Sequence, residues 1–222
     1  MLLLTHKNTV DIIRKVLGVV TIMRVILASG SPRRKELLKR IFDDFEVITA
    51  DVDERSIELA IEDELKGQLM QDVAARMVSS LSKAKALAVY EALGCPKDSL
   101  VIGADTAVAV SDEIMGKPKD RDDAVRMLRK LSKEKQFVLT GVSYIKDGKV
   151  NSFVETSIVT FNPLDDIQEA KIQKYCDTPE PYDKAGAYGI QLIGDEMVKK
   201  VEGDFDNIIG LPVKRLKKEL GM

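Results

Sequence analysis

The 222-residue sequence lacks tryptophan and has little histidine or cysteine. Its only histidine is His6, so no other position offers a histidine as a general base. The two cysteines, Cys95 and Cys176, lie far apart and form no CxxC pair. This spacing argues against a disulfide framework and against a zinc site. We therefore expect a protein of a reducing compartment and predict a cytoplasmic location.

The sequence also lacks an excess of one charge and a long hydrophobic run. Its 34 lysines and arginines nearly balance its 36 aspartates and glutamates, so no overall basic field is available to hold a nucleic acid backbone. No segment reaches the roughly 20 apolar residues that a membrane helix requires. We expect neither a nucleic acid nor a membrane partner, whereas a local cluster of cations is enough to bind a small anion.

The amino-terminal segment precedes the first predicted strand. We predict an N-terminal extension over residues 1–22 and a single domain over residues 23–222. The pattern of residues 9–19 favours a short amphipathic helix outside this domain. The first strand begins directly after Met23, which makes this methionine a candidate start of the protein.

A strand, a tight turn and a helix are predicted over residues 25–42, and this segment organises the rest of the chain. Residues 25–28 form a short apolar run that suits a buried strand, and Ser31 can cap the helix that follows. The free N–H groups of the first helical turn, together with Arg33 and Arg34, make an anion site that suits phosphate. An ordinary turn with two solvated arginines explains the same residues, so other stretches must decide.

Carboxylates follow two of the predicted strands. Three of them occupy residues 51–54, directly after a strand over residues 45–50, and are explained either as turn acids or as ligands of a hard cation. Asp105 follows the apolar run of residues 100–104, which is typical of a central strand buried on both faces. A carboxylate there is costly to desolvate unless it is paired, protonated or bound to a cation. We therefore predict a functional role for Asp105.

Periodicity and turn residues predict the remaining elements. Asp147-Gly148 is a strong hairpin signal between two long antiparallel strands. The glycine- and alanine-rich residues 182–191 allow the backbone to approach a ligand closely. The predicted helices cover residues 56–66, 71–93, 163–175 and 212–220. A further helix is predicted after Asp120, which can cap it. The predicted strands cover residues 136–145, 150–161 and 196–201, with a turn at residues 203–207.

Four stretches in collinear order resemble the Maf family of nucleoside triphosphate pyrophosphatases. They are LASGSPRR at residues 27–34, GADT at 103–106, GKP at 116–118 and DKAGAYGIQ at 183–191. Each motif alone is a weak signal, but the four in order are specific, and the match covers nearly the whole chain. The resemblance implies an α/β fold similar to inosine triphosphate pyrophosphatases, with a mixed, elongated sheet and flanking helices in two lobes around a deep cleft. It also implies a divalent cation, Mg²⁺ or Mn²⁺, and cleavage between the α and β phosphates.

The resemblance assigns site residues by position. It implies that Asp105 is catalytic and that Glu54 and Asp105 hold the metal. The implied substrate-binding residues are Ser29, Arg33, Arg34, Lys85, Thr106, Lys117, Lys184 and Gln191. Lys83 is close enough to Lys85 to leave the register of the helix lysine open. Gln136 and Phe137 stand where family members often have a histidine, and a metal-bound water of lowered pKa needs no histidine base.

The resemblance also indicates a substrate class. An arginine of the first motif, Thr106 and Gln191 resemble the subgroup that acts on dTTP and UTP. The glutamine amide has both a donor and an acceptor for the edge of thymine or uracil. Two alternatives stay open: a purine-directed pyrophosphatase acting on inosine, xanthosine or 7-methyl-GTP nucleotides, and a nucleotide-binding regulator of septum formation without turnover. The expected partner is a nucleoside triphosphate, and a homodimer is compatible with the sequence.

Overall fold

The computed structural model describes residues 15–16, 19–20 and 23–222. The helix predicted over residues 9–19 lies mostly outside the described residues. The two described pairs in this region, Lys15–Val16 and Val19–Val20, form antiparallel strands. The helix prediction is therefore wrong where it overlaps these strands.

The described residues contain nine strands, eight α-helices and two short 3₁₀-helices. The strands are β1 (Lys15–Val16), β2 (Val19–Val20), β3 (Arg24–Ala28), β4 (Glu46–Val47), β5 (Ser99–Ala109), β6 (Ile114–Met115), β7 (Lys135–Lys146), β8 (Lys149–Phe161) and β9 (Val198–Glu202). The helices are α1 (Pro32–Leu38), α2 (Glu54–Glu64), α3 (Met70–Ala92), α4 (Arg121–Leu131), α5 (Asp166–Cys176), α6 (Ile190–Met197), α7 (Phe205–Ile209) and α8 (Val213–Leu220). None of these helices is both long and apolar enough to cross a bilayer.

Seven of the described strands form one mixed sheet, which confirms the predicted α/β class. The strand order is β4-β3-β5-β7-β8-β9, with β6 paired to β5. β3 runs parallel to β4 and β5, whereas β5, β7, β8 and β9 pair antiparallel. The central strand β5 is longer than predicted because it pairs with β7 continuously from Leu100 to Ala109. Asp105 therefore lies inside a strand rather than after one.

The helix α3 packs directly on β5 and β7 because two glycines leave room for its backbone. A Cβ atom on Gly103 would overlap the carbonyl oxygen of Ser82, and one on Gly141 would overlap the carbonyl oxygen of Val78. Overlap with backbone cannot be relieved by a rotamer change, so these positions require glycine. The close packing brings the middle of α3 against the strand position two residues after Gly103, which is Asp105.

Two hydrophobic clusters lie on β5 on either side of Thr106. Leu100 and Ile102 belong to a cluster with residues of α1 and α8. Val108 and Val110 belong to another cluster with residues of α4, α5 and α6. These two clusters leave the middle of β5 for polar side chains.

Several element boundaries differ from the predictions. The strand predicted over residues 45–50 is reduced to the two-residue edge strand β4, which pairs only with β3. α5 begins at Asp166 because the side chain of Asp165 accepts a hydrogen bond from the amide of Gln168 and so caps the helix. No helix is predicted at α6 or α7: residues 203–207 are predicted as a turn, and the strand predicted over residues 196–201 begins only at Val198, because residues 196–197 end α6. Glycine-rich flanks and short lengths conceal the periodicity of both helices.

Candidate active site

A cavity of about 690 Å³ opens beside the middle of β5. Its walls come from the turn between β3 and α1, the beginning of α2, the middle of α3, the turn after β6 and the glycine-rich segment before α6. The cavity is lined by every residue predicted for the site, namely Ser29, Arg33, Arg34, Glu54, Lys85, Asp105, Thr106, Lys117, Lys184 and Gln191. Their catalytic and binding roles stay predictions, but the fold brings them together.

Two carboxylates and one ammonium group meet on the α3 side of the cavity. Lys85 Nζ lies 2.7 Å from Asp105 Oδ1 and 3.1 Å from Glu54 Oε1. The side chains of Lys85 and Asp105 are only 17% and 15% exposed, whereas that of Glu54 is 48% exposed. The Lys85–Asp105 pair is therefore shielded from water, and Glu54 is open to it. Lys83 is exposed and does not line the cavity, so of these two lysines only Lys85 faces it.

The acidic residues at the start of α2 have separate roles. Asp53 caps the helix, because its carboxylate accepts hydrogen bonds from the amide and the hydroxyl of Ser56. These hydrogen bonds lower the pKa of Asp53. Of residues 51–54, only Glu54 lines the cavity. The turn-acid explanation therefore holds for Asp53, and the ligand explanation is confined to Glu54.

The pair of Glu54 and Asp105 fits a divalent cation that is coordinated partly by the protein and partly by the substrate. Both carboxylates converge on one positive group, the ammonium of Lys85. No set of three or more acidic, histidine or cysteine side chains within residues 23–222 forms a complete metal cage. Mg²⁺ is ordinarily bound by one or two carboxylates together with substrate phosphates and water. Carboxylate oxygens also suit Mn²⁺.

Arg34 is held in place by three protein groups. Its Nε donates to the carbonyl oxygen of Gly210 at 2.9 Å, its Nη1 to Ser29 Oγ at 3.2 Å and its Nη2 to Thr106 Oγ1 at 3.0 Å. Burial lowers the pKa of Arg34, while the charge of Asp105 acts in the opposite direction. A guanidinium carries further N–H groups, so Arg34 can still donate into the cavity from a fixed position.

Arg33 and Lys184 share one counter-ion that the sequence analysis did not single out. Asp183 Oδ2 lies 3.0 Å from Arg33 Nη1, and Asp183 Oδ1 lies 2.6 Å from Lys184 Nζ. Burial raises the pKa of Asp183, but the hydrogen bonds from Lys184 and Arg33 outweigh it and the net pKa is lowered. Asp183 is therefore a carboxylate that holds two predicted phosphate ligands together. Its position directly before Lys184 in the fourth motif was the available signal.

The two remaining predicted residues are exposed on the cavity wall. Lys117 lies in the turn after β6, and Gln191 is the second residue of α6. The amide of Gly186 donates to the carbonyl oxygen of Gly116 at 3.1 Å, which links the Lys117 turn to the glycine-rich segment. Gly186 has a φ of 71°, a conformation that favours glycine. Both segments thus form one continuous wall.

Comparison with known proteins assigns the chain to a family. The family model described as "Maf-like protein" matches residues 24–222. This chain belongs to the Maf family.

Three curated relatives of this Maf chain share one description. A protein from Clostridium novyi (strain NT), named dTTP/UTP pyrophosphatase, is 42% identical over 199 residues, which cover 90% of this chain and 97% of the relative. The protein of the same name from Acetivibrio thermocellus is 45% identical over 197 residues, covering 87% and 92%. The one from Hahella chejuensis is 41% identical over 202 residues, covering 90% and 93%.

The Maf motifs coincide with the walls of the cavity. All four predicted motifs contribute residues to it, although the first and the fourth lie far apart in the sequence; Arg33 and Asp183, for example, are 150 positions apart. Sequence reasoning missed the apolar part of the wall, which includes Val108, Val138 and Ile208. These residues are indistinguishable from core residues in the sequence, because each also packs in a buried cluster.

Proposed function

We propose that this chain hydrolyses nucleoside triphosphates to the monophosphate and pyrophosphate, with dTTP and UTP preferred. The observation that carries the proposal is the cluster of Glu54, Lys85 and Asp105, of which Lys85 and Asp105 are largely shielded from water, in a cavity that also contains arginines and other lysines. Its relatives named dTTP/UTP pyrophosphatase support the same reaction.

The cationic side chains would bind the triphosphate. Arg33, Lys117 and Lys184 line the same cavity and provide positive charge for the β and γ phosphates. Lys85 lies beside Asp105 and would neutralise charge that develops at the α phosphate. Stabilisation of this charge and of the pyrophosphate leaving group accounts for most of the catalysis that phosphoryl chemistry needs.

The carboxylate of Asp105 would orient the attacking water and accept its proton. Glu54 and Asp105 would together hold Mg²⁺ or Mn²⁺. When bound, this ion lowers the pKa of a coordinated water and neutralises phosphate charge. A binding protein without turnover needs the cations but has no use for two carboxylates beside them, because they repel the phosphates. The acid pair therefore favours an enzyme over the alternative of a nucleotide-binding regulator.

The proposed reaction is tested by its products. Purified protein is incubated with UTP and Mg²⁺, and UMP, UDP, pyrophosphate and orthophosphate are measured separately. We expect equal amounts of UMP and pyrophosphate, no direct release of orthophosphate, and loss of activity when a chelator removes the metal. UDP with orthophosphate would contradict the proposed cleavage site, and tight binding without products would favour the regulator.

The same assay tests the proposed domain boundary. We propose that residues 23–222 contain the whole pyrophosphatase unit, because the family match and all described cavity residues lie within them. A chain that starts at Met23 should have the same kcat/KM for UTP as the full chain. A large loss on truncation would show that residues 1–22 contribute to the site.

Substitution of Lys85 tests whether activity depends on a lysine of α3 that faces the cavity and not on one at its exposed surface. We expect Lys85→Met to lower kcat by about 10²–10³, the usual cost of removing one group that stabilises transition-state charge. Lys83→Met is the matched control, since it removes the same charge from an exposed position on the same helix. Steady-state kinetics with UTP checks both variants. Similar activities for the two variants would refute the role of Lys85.

A further inference from the structure

A chain of hydrogen bonds runs from the cavity into the fold behind it. Arg34 Nη2 donates to Thr106 Oγ1 at 3.0 Å, and Thr106 Oγ1 lies 3.0 Å from Thr140 Oγ1 on the neighbouring strand β7. Thr140 Oγ1 donates to the carbonyl oxygen of Asn207 in α7 at 2.9 Å. Thr140 and Asn207 are completely buried, so water does not compete for the hydrogen bond between them.

The direction of each hydrogen bond follows from the chemistry of the groups. The carbonyl oxygen of Asn207 can only accept, so it takes the single hydroxyl proton of Thr140. Thr140 must then accept a hydrogen bond from Thr106, so the single hydroxyl proton of Thr106 is also used. Because Arg34 already donates to one lone pair of Thr106, the only capacity that Thr106 has left is a second lone pair. Thr106 is thus an acceptor, and not a donor, toward the cavity.

An acceptor of this kind excludes some substrate groups and suits others. Phosphate oxygens of an ionised triphosphate are acceptors and gain nothing from Thr106. The side chains of Val108, Val138 and Ile208 line the same cavity and provide apolar contacts for the faces of a planar base. Thymine and uracil have one N–H donor on the edge remote from the sugar, at N3, between two carbonyl oxygens.

We propose that Thr140 fixes Thr106 as a hydrogen-bond acceptor and that the group it recognises is the N3–H of thymine or uracil. This inference rests on the proposed function, which it extends by naming the atom that is recognised and a buried positioning residue that does not touch substrate. Thr140 acts through Thr106, and the carbonyl oxygen of Asn207 sets the direction of the hydrogen bonds.

The test uses two substitutions of Thr140 and two nucleotides. Thr140→Val removes the hydroxyl while keeping the shape, so the proton of Thr106 is no longer committed. Thr140→Ser keeps the hydroxyl and is the conservative control. The substrates are UTP and 3-methyluridine triphosphate, in which a methyl group replaces the N3 hydrogen.

We expect the wild type to prefer UTP strongly over the methylated nucleotide. In Thr140→Val the ratio of the two kcat/KM values should fall by up to about tenfold, the size of one net hydrogen bond, mainly through a loss for UTP. In Thr140→Ser the ratio should remain close to that of the wild type. The ratio is insensitive to a loss of folded enzyme, because both nucleotides are tested on the same preparation.

An equal loss for both nucleotides in Thr140→Val would indicate a purely structural role and overturn the inference. The same is true if Thr140→Ser behaves like Thr140→Val. If the wild type hydrolyses both nucleotides equally well, N3–H is not recognised, while the pyrophosphatase function stands. If the wild type does not hydrolyse UTP at all, the proposed function fails and this inference fails with it.

Discussion

Asp105→Asn is expected to lower kcat for UTP by about 10³ or more while the protein remains folded. The substitution replaces a carboxylate by an amide of nearly the same shape. The amide cannot accept a proton from water, and it is a much weaker ligand for a divalent cation. A factor of 10³ corresponds to about 4 kcal/mol of transition-state stabilisation.

The fold should tolerate this change because Lys85 keeps a second partner. Glu54 Oε1 lies 3.1 Å from Lys85 Nζ, so the ammonium group is not left without a counter-charge. We expect the free energy of unfolding to change by about 1–3 kcal/mol, as for the loss of a charged hydrogen bond. Thermal or urea unfolding measures this quantity next to the steady-state kinetics.

A matched control exists at the surface. Asp112 forms an ion pair with Lys130, and its side chain is 69% exposed. Asp112→Asn removes the same type of charge from an aspartate–lysine pair outside the cavity and should leave kcat unchanged. Near-normal turnover in folded Asp105→Asn would refute the catalytic assignment. A loss of activity that simply follows a loss of folded protein would indicate a structural role.

The preference for a base is expected to be large. In a panel of dTTP, UTP, CTP, ITP, GTP and 7-methyl-GTP, we expect dTTP and UTP to have the highest kcat/KM. A site that hydrogen-bonds one particular edge can reject the wrong one by about 10⁴. The cavity of about 690 Å³ lies well within the range of ordinary small-molecule sites, so its overall volume does not exclude a purine. We therefore assign the discrimination to hydrogen bonds.

Gln191 tests this assignment. Its amide lines the cavity from the first turn of α6 and has both a donor and an acceptor. Gln191→Ala should reduce the advantage of dTTP and UTP more than it reduces turnover of the poor substrates. Leu192→Ala is the control, because Leu192 is the exposed neighbour of Gln191 and does not line the cavity. If ITP or 7-methyl-GTP leads the panel, the assigned base is wrong, although the pyrophosphatase function would stand.

Local signals in the sequence determined most elements of the fold. The apolar run before Ser29, the Ser31 cap and Pro32 predicted β3 and α1, and both are present. Asp147-Gly148 predicted the turn between β7 and β8, and the two strands pair as a hairpin around it. These signals succeed because each depends only on residues that are close together in the sequence. The Maf motifs similarly indicated which residues gather at one site.

The tertiary structure decided the elements whose local signals are weak. The helices α6 and α7 are short and flanked by Gly189, Gly203 and Gly210, so no apolar period is long enough to recognise. Their packing against the rest of the fold stabilises them. The ends of β5 were likewise set by pairing with β7 and not by the run of apolar residues.

The tertiary structure also decided the partners of the charged groups. Asp183 was visible in the sequence, but its contact with Arg33 joins positions 150 residues apart. Positions 83 and 85 are both lysine, so the residue type does not distinguish them. They lie about 200° apart around the helix axis, so only one of them can face the sheet. The close approach of α3 to Gly103 and Gly141 selects the face that carries Lys85 and thereby places its ammonium group against Asp105. The sequence determined that a lysine and an aspartate were available, and backbone packing between distant segments determined that they meet.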